Sequence, residues 1–332
     1  MMKIKFFSSS WSVTQSSVKL IRSLCSQISL PQVPENDSPL RIPENPNDVE
    51  RAPNFSPTFN FASYINKSET LQQLLKLGVD LYKIERRKGL ENFLLKLDFE
   101  HDMKHVIKFL HDQGISPDRL GQFLTKNPLI FKENCDDLQV RINYLESKKF
   151  QRDEIIRIID NNPFWLMFST QRIDKRLGFF QKSFYLTGRE VRQLVCTAPR
   201  LITYSMEHIR MSTFSVKEEM GYETLEAKKL LLKIPKLWMI NHDSLMERFD
   251  YVHKDMEISH EQLLKDPYIL LSRTFRIRQR HDFLKYLGKA QYDPKKDLYI
   301  SLKNLVVGSD EEFAINIARS SIPVYQNFLK TL

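Results

Sequence analysis

Five prolines recur at near-equal steps along the chain, and this spacing constrains the fold more than any other feature. The intervals between them are 35, 36, 36 and 32 residues. A period of this size predicts one supersecondary unit repeated into a solenoid, because a closed globular fold has no reason to repeat itself. We number units 1 to 5 after these prolines and give positions relative to them. The five are Pro128, Pro163, Pro199, Pro235 and Pro267.

Each unit is predicted to fold as a helix, a proline turn and a second helix. A residue that precedes proline is pushed away from helical geometry, so the first helix ends just before the proline. Large apolar residues stand at positions −4 and +3 of every unit. Position −4 holds Leu124, Ile159, Val195, Leu231 and Leu263, and position +3 holds Phe131, Leu166, Ile202, Trp238 and Leu270.

The second helix has its own start signal and its own apolar stripe. Good capping residues stand at position +6 of units 1 to 4, namely Asn134, Ser169, Ser205 and Asn241. In unit 5 this position is Arg273, so we expect Ser272 or Thr274 to cap that helix instead. Apolar residues at +10, +14 and +17 describe one buried face, which is weakest in unit 3. With nine glycines and no alternating strand pattern, the chain is predicted to be an all-α helical-repeat solenoid.

The two ends differ from the repeats. Residues 1–30 contain four basic and no acidic residues together with many serines, which is typical of a mitochondrial targeting peptide. Residues 31–67 hold seven of the fifteen prolines and are predicted to be an extended linker. We assign 68–290 to the helical repeats and 291–332 to a C-terminal helical cap, because terminal units of solenoids are atypical.

The net charge is +9, and the excess stays on the repeat region after the basic first thirty residues are set aside. A basic solenoid suggests a polyanion as partner. Position +13 holds Arg141, Arg176, Arg248 and Arg280 in four units, whereas unit 3 has Ser212 there and Arg210 two positions earlier. Stacked units would turn these arginines into a ladder. Two roles stay open for them: contact with phosphate, or attachment of one unit to the next.

Unit 5 carries the densest cluster of basic residues. Arg273, Arg276 and Arg280 lie along one predicted helical face, and Lys285 and Lys289 follow. So many like charges repel one another unless an anion is present, so we favour phosphate contact there. Aromatic residues near the ladder could stack on unpaired bases, but helical spacing favours simple packing. They are Tyr144, Phe179, Tyr251 and Phe283.

The sequence shows no signature of an enzyme. It has no phosphate-binding glycine loop, no dinucleotide loop and no nucleophile elbow. His101 and His105 are four apart on a predicted helix, but no third ligand suits zinc. The three cysteines have no metal or redox spacing. We therefore expect no cofactor and no metal. No stretch approaches the roughly 20 apolar residues of a membrane span, so we expect no membrane insertion.

Several segments of the sequence resemble the mitochondrial transcription termination factor (mTERF) family, and within it the third animal subtype. The likeness runs from about Leu71 to Leu332 and includes LLKLGVDLYKIE, LGQFLTKNPLIF and FLKYLGKAQYDPKKDLYISLKNLV. The resemblance implies a left-handed superhelix of helical repeats with a basic groove that binds nucleic acid. It also implies repression of mitochondrial DNA transcription near the promoter and a part in assembling the mitochondrial ribosome.

We therefore expect a non-enzymatic regulator in the mitochondrial matrix that binds duplex mitochondrial DNA and acts as a monomer. The candidate nucleic-acid contacts are Arg141, Arg176, Arg210, Arg248, Arg273, Arg276, Arg280 and Lys289. One alternative keeps nucleic acid as the partner but makes it mitochondrial ribosomal RNA in ribosome assembly. A second alternative is a scaffold that recruits an acidic protein partner.

Overall fold

The computed structural model describes residues 61–332, in which every regular element is a helix and no strand occurs. The predicted all-α repeat fold is confirmed. Each of units 1 to 5 has a first helix that ends two residues before its proline. The first helices are Pro117–Lys126, Arg152–Asn161, Gly188–Thr197, Thr224–Lys233 and His260–Lys265. The turns are Pro128–Lys132, Pro163–Met167, Pro199–Thr203, Pro235–Met239 and Pro267–Leu271.

The second helices are Cys135–Ser147, Thr170–Ser183, Met206–Phe214, His242–Asp250 and Thr274–Tyr286. In units 3 and 4 the helix continues into one wider π-helical turn, Ser215–Glu219 and Tyr251–Asp255. From unit 2 onward, successive turns pack against one another, and the first helices of units 2 to 5 do the same. The apolar face that a single unit would expose is thereby buried by its neighbours.

The proline turn has the same geometry in all five units. The residue before each proline has φ between −131° and −140° and ψ between 64° and 79°, well outside the helical region. The proline is then the first residue of a short helix, where its missing N–H would have no partner in any case. Proline therefore ends one helix and starts the next segment with a single local restraint.

The core is made of the apolar positions that the sequence indicated. All ten residues at −4 and +3 are buried, and Phe131 is the most accessible of them at 7%. The stripe at +10, +14 and +17 is buried in units 1, 2 and 4. In unit 5 the middle position of the stripe is His281, which is 6% exposed.

Local capping follows the sequence with one exception. The side chains of Asn134, Ser169, Ser205 and Asn241 each accept a backbone N–H in the first turn of their helix. In unit 5, however, Arg273 itself is the N-cap residue and no side chain caps the helix. The expectation that Ser272 or Thr274 would do so was wrong, because the turn keeps the same length in every unit and places the helix start at position +6.

An N-terminal group of helices packs on unit 1. It consists of Ala62–Ile65, Glu69–Lys76, Leu81–Glu85, Leu90–Leu95 and Phe99–Met103, the last running into Lys104–Asp112. Gly121 lets the two parts approach closely, because a Cβ there would lie 2.3 Å from the carbonyl oxygen of Leu77. Thr125 joins them as well, accepting the N–H of Asp80 at 2.8 Å. This group therefore closes the exposed face of unit 1.

The segment 291–332 continues the stack although it has no proline at the expected place. Leu302–Val306 forms a sixth turn, with Leu302 where the other units have proline, and it packs on the turn of unit 5. A helical segment, Asp310–Glu312 and Phe313–Ile317, follows it and begins with a capping box of Ser309 and Glu312. The last helix is Ile322–Leu329. We call Leu302–Ile317 unit 6.

The predicted targeting peptide and most of the predicted linker lie outside the described residues. The described part begins inside the 31–67 segment, where Phe61 is 3% exposed and the short helix Ala62–Ile65 follows. Ser68, proposed as the start of the folded part, caps the next helix by accepting the N–H of Leu71. The division of the chain at 30 and 67 stays a prediction.

Candidate nucleic-acid interface

The arginines at position +13 form a ladder that joins consecutive units. In each case a guanidinium N–H donates to the backbone carbonyl at position +3 of the following unit. The acceptors are Leu166 for Arg141, Ile202 for Arg176 (2.7 Å), Leu270 for Arg248 (3.1 Å) and Leu305 for Arg280 (3.1 Å). The last of these acceptors is the evidence that Leu302 stands in for proline, since Leu305 is three residues beyond it.

Two of these arginines are buried, and their charge is satisfied by the neighbouring unit. Arg280 is 0% exposed and also donates to the carbonyls of Val307 and Gly308 at 3.0 Å and to Asp310 at 2.8 Å. Arg176 is 7% exposed and bonds the carbonyl of Tyr204 at 2.5 Å. Burial, with the nearby charge of Arg172, lowers the pKa of Arg176 to about 10. A phosphate could reach these groups only if the stack opened.

Arg141 and Arg248, the other two arginines at position +13, are half-buried, and their guanidinium groups are also bonded within the protein. Arg141 forms an ion pair with Glu133 at 2.5 Å besides its bond to the next unit. Burial lowers the pKa of Arg248, whose Nη1 holds the carbonyl of Leu270. For all four arginines at +13 the geometry therefore favours attachment of units over contact with phosphate. For Arg280 this departs from the role that the sequence favoured, because its charge faces the sixth turn rather than solvent.

Unit 3 replaces the arginine rung with smaller groups. The hydroxyl of Ser212 donates to the carbonyl of Trp238 at 3.3 Å, which is the same acceptor position +3. Trp238 is fully buried, and its indole N–H donates to Thr213 at 3.1 Å. The large side chain of Trp238 thus occupies space that the arginine at position +13 fills in the other units.

A second set of bonds joins the turns and was not anticipated from the sequence. The residue before the proline reaches the next turn: Asn127 Nδ2 donates to the carbonyl of Pro163 and Asn162 Nδ2 to that of Pro199, both at 3.1 Å. In unit 5 the polarity is reversed, since Asp266 accepts the N–H of Lys303 at 2.6 Å. The Asn-Pro dipeptides of units 1 and 2 were the available signal.

The remaining candidates do not meet in one site. Lys289 donates to the carbonyls of Ala318 (2.8 Å) and Arg319 (3.2 Å), so it also holds the C-terminal segment. Arg210 is exposed, with its guanidinium 6.0 Å from the ring centre of Phe179. Arg273 is exposed and Arg276 half-buried. These three arginines remain candidates for phosphate contact.

A surface away from the ladder carries charged residues that are almost all basic. Positions −6, −2 and +1 are exposed in the first helices and turns except at the buried Leu129 and the half-buried Lys126 and Phe164. We call these positions in units 1 to 5, together with Lys303 at +1 of unit 6, the turn face. Eight of its residues are basic, and one, Glu261, is acidic. The basic residues are Lys126, Arg157, Arg200, Lys229, Lys233, Lys236, Lys265 and Lys303; all but the half-buried Lys126 are exposed.

The packing of the units aligns these charges. Lys233 Nζ donates to the backbone carbonyl of Lys265, which shows that position −2 of one unit reaches position −2 of the next. Glu261 is engaged by Lys265 at 2.8 Å. Within the described chain, the side chains of Arg157, Arg200 and Lys236 form no ion pair or hydrogen bond. Aligned, unneutralised cations on one side of a stack suit the regular charge of a sugar-phosphate backbone.

Sequence reasoning missed this surface although a signal was present. Lys-X-Pro occurs in three of the five units, at Lys126, Lys233 and Lys265. The outer side of the second helices is different, because position +8 is acidic in Asp136, Glu207 and Asp243. The two sides thus differ in the mix of charges: position +8 brings acidic residues to the second helices, whereas the turn face holds one carboxylate, that of Glu261.

Three of the four aromatic residues near the ladder are engaged within the protein, and Phe179 is half-buried. Tyr144 donates to Asp174 at 2.8 Å, and Tyr251 donates to Asp282 at 3.4 Å. Phe283 is fully buried. Over residues 61–332 the structure contains no group of three side chains that could hold a metal ion. No helix in that same range is long and apolar enough to cross a membrane.

Comparisons with known proteins agree with the helical-repeat fold. The chain is 55% identical over 275 residues to Transcription termination factor 3, mitochondrial, of Drosophila melanogaster, covering 83% of this chain and 78% of the relative. It is 42% identical to the Rattus norvegicus protein of the same name, covering 82% and 66%. The human Transcription termination factor 1, mitochondrial, is 24% identical over 54% of this chain and 47% of that protein.

A family model described as mTERF matches residues 92–314, which include all six turns. The resemblance inferred from the repeats is confirmed. Proteins of this family are nucleic-acid-binding regulators rather than enzymes, so the expectation of a non-enzymatic protein is confirmed by the same match. On the family model, the identity to relatives and the proline-turn repeat, the chain belongs to the mTERF family.

Proposed function

We propose that this protein is a mitochondrial nucleic-acid-binding regulator that represses transcription of mitochondrial DNA at or near a promoter and supports biogenesis of the mitochondrial ribosome. Its relatives are named as mitochondrial transcription termination factors, which supports both the compartment and the process. We place the protein in the matrix, where mitochondrial DNA is transcribed. Duplex DNA is the proposed ligand, bound by a monomer.

The turn face is the observation that carries this proposal. Its charges are mostly lysines, which act as point charges and suit phosphate oxygens better than base edges. Unit 4 supplies three of them and every other unit supplies one, so a nucleic acid backbone could meet several units at once. Binding of this kind positions the protein on a duplex, and it weakens steeply with salt because counterions are released.

Charge reversal on the turn face tests the proposal. In the variant Lys233→Glu with Lys236→Glu, we expect at least about a tenfold loss of affinity for duplex DNA and a salt slope shallower by about 2. Because Lys233 also bonds the carbonyl of Lys265, an unchanged melting temperature must accompany this loss. The control is Lys175→Glu with Lys182→Glu, which makes the same change of net charge at exposed positions of a second helix. Equal losses in both variants would show that only net charge matters.

The three arginines outside the ladder form a second candidate contact. Arg210, Arg273 and Arg276 make no bond to a carbonyl of another unit in the described chain. Arg273→Ala with Arg276→Ala should weaken binding to all sequences by a similar factor, as phosphate contacts do. Unchanged affinity in a folded variant would remove these two arginines from the interface and leave the turn face as the sole candidate.

Two alternatives are separated by binding measurements. If the protein serves ribosome assembly first, structured ribosomal RNA should compete better than duplex DNA for the same turn face. If it is a scaffold for an acidic protein, affinity for DNA should be weak and should hardly change with salt. Binding through about five phosphates would instead give a slope of log affinity against log salt near −4 to −5.

The role in the organelle needs a direct readout. We would crosslink the tagged protein in isolated mitochondria and sequence the bound DNA and RNA. Enrichment of promoter DNA supports repression of transcription, and enrichment of ribosomal RNA supports the role in ribosome biogenesis. The Lys233→Glu with Lys236→Glu variant should lose both signals if one surface serves both roles.

A further inference from the structure

A cavity of about 440 Å³ lies in the C-terminal part, between the loop after unit 5 and the helical segment of unit 6. Neither the ladder nor the turn face uses it. Its lining residues are Lys289, Leu298, Tyr299, Ile300, Asn304, Asn316, Ile317 and Arg319. Ligand sites of small molecules are concave and carry a few polar groups that fix the orientation of the ligand; here half of the lining residues are polar or charged, so the site suits a polar ligand.

The lining has a definite chemical character. It contains two cations, Lys289 and Arg319, and no carboxylate. Two of the three N–H donors of Lys289 hold the carbonyls of Ala318 and Arg319, so the Arg319 guanidinium is the main anion-binding group. The amides of Asn304 and Asn316 can each donate and accept hydrogen bonds, as the edge of a nucleobase requires.

Flat apolar surface is available beside these polar groups. The ring of Tyr299 is 42% exposed, and Leu298 is 63% exposed. An aromatic ring with aliphatic neighbours offers a stacking platform for a planar ring system. Anion-binding, amide and stacking groups together match a nucleoside phosphate better than a simple anion or a purely apolar molecule.

The backbone around the cavity is held by contacts within the protein. Arg319 has φ of 48° because it forms the left-handed cap of the helical segment of unit 6, as Lys149, Tyr185 and Glu257 do after earlier second helices. The bonds from Arg280 to Leu305 and from Lys289 to Ala318 fix two further parts of the wall.

The position of the cavity links it to the turn face. Asn304 follows Lys303, which is the last basic residue of that surface and lies 5.5 Å from the ring centre of Tyr268. We propose that this cavity is a binding site for a nucleoside phosphate, either a free nucleotide or the unpaired, phosphorylated end of a nucleic acid strand. Arg319 takes the phosphate, Asn304 and Asn316 contact the base edge, and Tyr299 supports the base plane.

Binding of free nucleotides tests the proposal without reference to nucleic acid. Titration of the full chain with each of the four ribonucleoside 5′-monophosphates should give saturable, submillimolar binding of at least one of them. The matching nucleoside should bind at least about tenfold more weakly, because it lacks the charge that Arg319 recognises. No saturable binding, or equal binding of nucleoside and nucleotide, would overturn the proposal.

Two variants locate the site. Arg319→Gln should weaken nucleotide binding at least about fivefold, and Asn316→Leu should do so independently through the base edge. The control is Arg189→Gln, an exposed arginine on the first helix of unit 3. Asn316 is exposed, so its variant stays informative if Arg319→Gln fails to fold. Unchanged affinity in both folded variants would exclude this cavity.

Two DNA duplexes distinguish a free nucleotide from a strand end as the ligand. One duplex is blunt, and the other carries a single unpaired nucleotide with a 5′-phosphate. If a strand end is the ligand, the second duplex should bind more tightly, and Arg319→Gln should abolish that advantage only. If a free nucleotide is the ligand, both duplexes bind alike. This inference does not rest on the proposed function: Lys233→Glu with Lys236→Glu should lose blunt duplex and keep nucleotide binding.

Discussion

At the scale of single residues, the ladder arginines show how one residue type can have two roles that sequence alone does not separate. Position +13 is recognisable from the repeat, and an inter-unit role was one of the two roles left open. The choice depends on where the carbonyl at +3 of the next unit lies, and that is a property of stacking. The same reasoning explains why Arg210, at a neighbouring position, is exposed while Arg176 is buried.

Arg176→Met should destabilise the fold while leaving the interface intact. The change keeps a long apolar side chain but leaves the carbonyls of Ile202 and Tyr204 without their donor. We expect a loss of about 2–4 kcal/mol in the free energy of unfolding, measured by urea denaturation followed by circular dichroism. Lys175→Met, at an exposed position of the same helix, should change stability little. A stable Arg176→Met variant with weakened DNA binding would reverse this assignment.

His281 should make stability depend on pH. Burial lowers its pKa, with Lys285 lowering it further and Asp282 and Asp255 opposing, and its Nδ1 lies 2.8 Å from the Tyr292 hydroxyl. The unfolded chain therefore takes up this proton first as pH falls. The contribution of neutral His281 to the free energy of unfolding is complete above about pH 6.5 and is lost as the pH falls below it.

The variant His281→Gln isolates that contribution. Between about pH 7.5 and pH 5.5 it should lose less stability than the unaltered protein, as measured by urea denaturation at each pH. His101→Gln is the control, since the His101 side chain is 84% exposed. The same pH dependence in His281→Gln and the unaltered protein would mean that other groups account for acid destabilisation.

At the scale of elements, the helix ends and turns were accessible from sequence because their causes are local. A proline restrains the residue before it, and a serine or asparagine caps the helix that follows. Unit 6 was missed as a repeat because its turn begins with Leu302, so the proline signal is absent although the packing is the same. The turn face was missed because exposure at −6, −2 and +1 depends on how the first helix meets the turn.

Pro199→Ala should lower stability through the turn of unit 3. Proline holds Ala198 at φ −140° and ψ 66°, and alanine would allow the first helix to run on. We expect a loss of about 1 kcal/mol, equivalent to roughly 2 °C in melting temperature for a chain of this size. Thr197→Ala, at the exposed end of the same helix, should have a smaller effect. An unchanged melting temperature in Pro199→Ala would count against the role of the proline.

At the scale of the whole molecule, stability depends on how the two ends of the stack of units are covered. Units 1 to 5 each give a donor to the unit that follows, and unit 6 receives the last one from Arg280. The N-terminal helices cover the opposite end through Gly121 and Thr125. The sequence predicted that both ends would be atypical, which is the general behaviour of repeat arrays, but it did not show that the C-terminal end neutralises a buried charge.

Removal of residues 302–332 should therefore destabilise the units that remain. Arg280 would lose the carbonyls of Leu305, Val307 and Gly308 as well as Asp310, and the apolar face of unit 5 would be exposed to water. We expect a loss of at least about 3 kcal/mol in the free energy of unfolding, measured by urea denaturation. In the shortened chain Arg280→Met should change stability little, because the guanidinium is then solvated, whereas in the full chain it should be destabilising. Unchanged stability of the shortened chain would contradict the role of unit 6 as a cover.

The direction of the ladder has a consequence for how the protein is made. Every rung runs from a donor to a carbonyl that comes 22 to 26 residues later in the chain. A polypeptide that emerges with its N-terminus first, from a ribosome or from an import channel, must therefore wait for the following module before its newest guanidinium finds an acceptor. The growing end stays incomplete at each stage, and only the arrival of the last module lets the whole array settle.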